Sequence, residues 1–60
     1  MENYYHVIQE VNIFEIASYG YYTNRYEAEK EVARLQRFYE DSYFYVYTSS
    51  SRKEPEFVTI

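Results

Sequence analysis

Few side chains in this sequence can do chemistry, and their spacing offers catalysis little. His6 is the single imidazole and cysteine is absent, so a nucleophile and its base would have to come from serines and carboxylates. None of these stands at a spacing that marks a catalytic triad or a strand-turn-helix nucleophile. Glu27 and Glu31 lie four apart with Glu29 between them, an arrangement that can cradle a cation but reads first as the solvated face of a helix. His6 reads as a half-exposed strand residue. A phosphate loop needs more than the one glycine present, and neither a disulfide nor an ordinary structural zinc site can be built. The expectation is a non-enzymatic protein with no catalytic, cofactor-binding or metal-binding set.

The elements that must position the remaining residues fit within one domain. Sixty residues bury only about 60% of the unfolded surface, which leaves a thin margin of stability. With no covalent or metal staple, a second subunit is the familiar remaining support. Ten acidic and six basic residues give a net charge of −4, which favours solubility and argues mildly against a phosphate backbone as partner. It leaves open an acidic mimic that occupies a basic site on another protein. No apolar run approaches the roughly 20 residues of a membrane span, and no basic start precedes an apolar stretch, so neither a span nor a signal peptide is expected. The absence of cysteine fits a cytoplasmic location.

Along the chain, Tyr4 to Gln9 is rich in β-branched and aromatic residues and reads as a strand with blurred alternation. A turn near Glu10 to Asn12 leads to a second strand from Ile13 to Tyr19 or a little beyond, with Phe14 and Ile16 inward and Ile13, Glu15, Ala17 and Tyr19 outward. Gly20 suits a bulge or bend. Asn24 followed by Glu27 matches a capping box, and Ala28, Val32, Leu35 and Tyr39 recur at helical spacing, with Phe38 widening the stripe. The helix runs from Arg25 to about Tyr39, acidic early and basic late, as its dipole favours. Tyr43 to Thr48 is a third strand. The order β-β-α-β predicts an α+β domain over residues 1–48, a three-stranded sheet with one helix packed on one face. Residues 49–60 read as a polar tail, broken by Pro55 and ending in the apolar Phe57 to Ile60, which would cover a sheet edge or fray.

One stretch sets the functional expectation. In Ser42-Tyr-Phe-Tyr-Val-Tyr-Thr48, Phe44 and Val46 suit the helix side, which leaves Tyr43, Tyr45 and Tyr47 on the opposite face. A single helix covers one face only, so the other would expose Tyr4, His6, Ile8, Ile13, Tyr19, Tyr43, Tyr45 and Tyr47. Tyrosine suits cross-strand packing, and it is also enriched at protein interfaces because it gives wide contact at low entropy cost. The expected partner is a protein, either a second copy in a structural homodimer or a host protein. A single-stranded nucleic acid stacked on these rings is the alternative. Phe44-Tyr45-Val46-Tyr47 resembles the aromatic strand of RNA-recognition domains, but Glu40-Asp41-Ser42 stands where basic and glycine residues should precede it.

A short, acidic, tyrosine-rich, glycine-poor chain of β-β-α-β order resembles the small orphan early proteins of bacteriophages that infect Gram-positive bacteria. The likeness extends over all 60 residues as a style without a diagnostic motif. It implies a protein that binds and redirects a host factor, sometimes as a dimer, with no chemistry of its own.

Overall fold

The computed structural model describes residues 2–60. Strands β1 (Tyr4–Asn12) and β2 (Glu15–Tyr22) form a hairpin, helix α1 (Arg25–Phe38) follows, and β3 (Tyr43–Ser49) completes a sheet of order β2-β1-β3. Both pairings are antiparallel, so the domain is the α+β, β-β-α-β fold its sequence predicts.

The helix forms where the cap and the apolar spacing place it. Asn24 Oδ1 accepts from the backbone N–H groups of Tyr26 at 2.8 Å and Glu27 at 3.4 Å, satisfying two of the orphan donors of the first turn. Ala28, Val32 and Leu35 then point at the sheet. They pack with Val7, Phe44 and Val46, bordered by Tyr5 and Tyr22. Phe38 and Phe14, both expected in this core, are 71% and 78% exposed. Phe38 lies on the flank of the helix under the Arg34 guanidinium, 6.0 Å from the ring centre. Phe14 stands with Ile13 at the tip of the hairpin.

The second strand is out of phase with its expected pattern. The hairpin turns through Ile13-Phe14, beyond the expected Glu10 to Asn12, and Val11 is left without a partner where Glu10 pairs with Ile16 and Asn12 with Glu15. Paired residues share a face of the sheet, so Ile16 and Ser18 lie with Glu10 and Ile8, away from the helix. A bulge at Tyr19-Gly20 then sets two residues against Val7, with Gly20 at φ 97°, where a side chain would be strained. Tyr19 consequently sits on the helix side, its ring centre 5.8 Å from that of Phe44, and Ala17 pairs with Gln9 on that side too. Buried Gln9 is fully engaged there: it donates to Ser42 Oγ and accepts from the Tyr19 hydroxyl, both at 2.9 Å.

Four consecutive residues of β1, His6 to Gln9, are buried. Side chains of a strand alternate between faces, so such a run requires cover on both sides of the sheet. The helix supplies one layer. Residues 50–60 supply the other: they leave β3 beside Tyr4 and cross the far face, where the Ser51 carbonyl accepts from His6 Nε2 at 2.8 Å. The segment ends on the outer edge of β2. There the Ile16 carbonyl accepts from the N–H of Thr59 at 2.8 Å and of Ile60 at 3.1 Å, and the Ile16 N–H donates to Thr59 Oγ1 at 2.8 Å. The expected polar tail is thus a second covering layer, and its last residues close a sheet edge.

Two stability measurements check these layers. Leu35→Ala should lower unfolding free energy by about 2–5 kcal/mol, read from denaturant melts, because Leu35 is 5% exposed. Ending the chain after Ser49 should destabilise the sheet by at least about 1.5–3 kcal/mol, the value of returning a buried isoleucine such as Ile8 to water. An unchanged melt for the shortened chain would mean that residues 50–60 cover nothing.

Candidate functional site

The eight side chains expected on one open face fall into three groups. Tyr4, His6, Ile8, Tyr43, Tyr45 and Tyr47 do share the face away from the helix, as the register of β1 with β3 requires. Tyr19 is on the helix side, and Ile13 is 78% exposed at the hairpin tip, off the sheet. Of the six that share the face, His6 and Ile8 are buried beneath residues 50–60 and offer no contact surface in this state. Tyr21, which the sequence reading did not place there, joins the face because it pairs with His6.

An aromatic row runs across all three strands of this face, with His6 buried at its centre. Tyr4 meets Tyr21 edge-on at 5.4 Å, His6 lies 5.9 Å from Tyr21 and 6.3 Å from Tyr47, and Tyr47 meets Phe57 edge-on at 5.0 Å. Arg52 lies over the Tyr4 ring. Since a carbonyl oxygen can only accept, the bond to Ser51 fixes the proton on His6 Nε2. The imidazole is therefore a structural tie through Nε2–H. A base could not stack on the middle of this row without displacing the covering segment.

What stays accessible is the side of the face formed by β3. Tyr43 and Tyr45 stack with ring centres 5.6 Å apart, and Tyr43 is 62% exposed. Tyr47 and Phe57 continue the strip along the strand. No charged residue occurs between Asp41 and Arg52, so the strand itself is an uncharged aromatic ridge on a chain of net charge −4. Partial burial raises the Tyr45 phenol above its ordinary pKa, and the neighbouring Glu10 carboxylate adds to the shift. Tyr19 is raised by burial, reinforced by Tyr39.

A second apolar surface flanks the helix, where Tyr19, Leu35, Phe38 and Tyr39 line an open groove with Arg34 at its rim. Arg34 is held by Glu31, and its Nε donates to Glu31 Oε1 at 2.9 Å; this hydrogen bond lowers the Glu31 pKa. Two of the three helix carboxylates are thus engaged along their own surface, Glu31 with Arg34 and Glu29 with Arg25 at 2.8 Å. Among the described residues no group of three His, Asp or Glu side chains could hold a metal ion, and no helix is long and apolar enough to cross a membrane.

Comparison with known protein families, with characterised proteins and with solved structures finds no match to this chain.

The tyrosine shifts set a pH dependence. A phenol whose pKa is higher in the folded state binds its proton more tightly there, so its contribution is complete below the unfolded value of about 10 and is lost as pH rises through the folded value. Spectrophotometric titration should show late-ionising tyrosines, and stability should fall on the alkaline side of about pH 10. Replacing Tyr45 by Phe should remove one late phenol from that titration.

Proposed function

We propose that this chain is a non-enzymatic protein-binding module whose contact surface is the aromatic strip of β3, with Tyr43 and Tyr45 at its centre. The observation that carries the reading is the stack of exposed Tyr43 on half-buried Tyr45, continued by Tyr47 and Phe57 on a small acidic domain. Interfaces draw most of their binding energy from a few aromatic or arginine anchors, and rigid, stacked tyrosines lose little entropy when covered. A surface of this kind suits a protein that binds and redirects another protein, as the likeness to small phage early proteins implies. The acidic charge surrounding the strip then serves solubility and discourages unrelated acidic partners.

The test is capture with a tagged chain, coexpressed with an untagged copy in the cell in which the protein acts. The wild type should retain a protein in fixed stoichiometry, whether foreign or the untagged copy. The double variant Tyr43→Ser/Tyr45→Ser, folded by circular dichroism, should bind that protein at least about tenfold more weakly, since loss of a single anchor costs more than about 1.4 kcal/mol. A wild type that retains neither kind of protein contradicts the module. A double variant that binds as tightly as the wild type contradicts the strip.

A further inference from the structure

The two outer edges of the sheet are treated differently. On β2 the edge is disrupted by the Tyr19-Gly20 bulge and occupied by Thr59 and Ile60 at Ile16. On β3 all seven residues pair in unbroken register with β1, and the strand contains no charge, proline, glycine or bulge. Natural sheets guard their edges with such features because a regular unpaired strand invites another strand to pair with it.

The ladder identifies which groups of β3 are free. Ile16 turns its N–H and C=O outward to Thr59, so its partner Glu10 turns its own toward β3. By alternation Tyr43, Tyr45, Tyr47 and Ser49 bond to β1, whereas Phe44, Val46 and Thr48 direct their backbone groups outward. Phe44 agrees: its N–H donates to Gln36 Oε1 at 3.2 Å, a side chain that also holds the Ser42 and Tyr39 carbonyls. Gln36 thereby closes one end of the edge. Among the described residues, the free pairs are those of Val46 and Thr48.

From this arrangement we infer that β3 pairs antiparallel with β3 of a second copy, about a two-fold axis at Tyr47, to make one continuous sheet. The inference rests on the reading of the β3 strip as a contact surface between proteins, and it names the partner. In this register Val46 of each copy exchanges both backbone bonds with Thr48 of the other, which leaves the Phe44–Gln36 bond intact. Residues two apart share a face, so Tyr47 meets Tyr47 of the second copy, each backed by its own Phe57. Tyr45 of the second copy stands opposite Ser49, at the mouth of a groove where Tyr47, Pro55 and Phe57 are joined by Lys53, Glu54 and Glu56. A second copy is the occupant the edge itself fits, because its two free residues, Val46 and Thr48, pair with each other about the two-fold axis while Tyr47 meets its own copy. Each chain carries −4, and the two strands that meet carry no charged residue.

Sedimentation of the wild type and of Thr48→Pro decides the matter. Thr48 is exposed and its N–H faces away from β1, so proline there spares the fold while removing the donor and placing its ring against the second strand. The wild type at about 100 µM should sediment at twice the 7.4 kDa of one chain, Thr48→Pro as a folded monomer, and Thr48→Val, which keeps the N–H, as a dimer. Amide exchange of the wild type supplies a reading independent of any variant: Val46 and Thr48 should exchange more slowly as concentration rises. A monomeric wild type, a dimeric Thr48→Pro, or Val46 and Thr48 amides whose exchange ignores concentration would overturn self-pairing. Retention of a foreign protein by a monomeric wild type would still leave the contact strip standing, so the two failures are separable.

Discussion

A three-stranded sheet in water has two faces to cover, and this chain has one helix with which to do it. The rest of the structure follows from how the second face is closed. Residues 50–60 cross it from the end of β3 to the far edge of β2, tied at the start by His6 to the Ser51 carbonyl and at the end by Thr59 and Ile60 to Ile16. Because both faces are covered, β1 can bury His6, Val7, Ile8 and Gln9 in succession. The covering segment is itself mostly polar, and it works because backbone groups and a threonine hydroxyl satisfy the sheet edge while Phe57 packs on Tyr47.

The same closure decides which tyrosines are available. The segment hides the middle of the aromatic row and leaves the β3 side exposed, so the surface is a strip along one strand, narrower than a whole sheet face. It also accounts for the inequality of the two edges, since among the described residues β2 receives the returning chain and β3 receives only the Gln36 side chain at Phe44. An aromatic strip beside an unguarded strand edge combines side-chain anchors with backbone hydrogen bonds, the two ingredients of strand-addition interfaces. The contact surface proposed for this protein is therefore a consequence of how it finishes its core.

The helix was legible because its signals are local. Asn24 caps it in the expected place, and the spacing of Ala28, Val32 and Leu35 depends on nothing beyond the helix itself. The third strand was equally legible, with Phe44 and Val46 on the helix side. The phase of β2 was not, because a strand takes its phase from turn and bulge, and Ile13-Phe14 carries none of the asparagine or glycine that usually marks a two-residue turn. Phe38 misled for a related reason: its position widens the helical stripe, but it falls on the flank facing the groove beside Tyr19. The return of residues 50–60 was hidden by composition, since serine, lysine, glutamate and proline suggest a solvated coil. The available signal lay elsewhere, in the blurred alternation of Tyr4 to Gln9. A central strand covered on both sides needs no polar face, and His6 and Gln9 escaped notice as buried residues because each is satisfied by a partner distant in sequence.

Residues 50–60 form the second layer of the fold, and nuclear Overhauser contacts in solution would register that layer. Cross-peaks are expected from the His6 ring to Ser51, from the Tyr47 ring to Phe57, and from the Thr59 amide to Ile16, together with slow exchange of the Thr59 amide. Random-coil shifts throughout residues 50–60, with none of these contacts and a folded sheet, would contradict it.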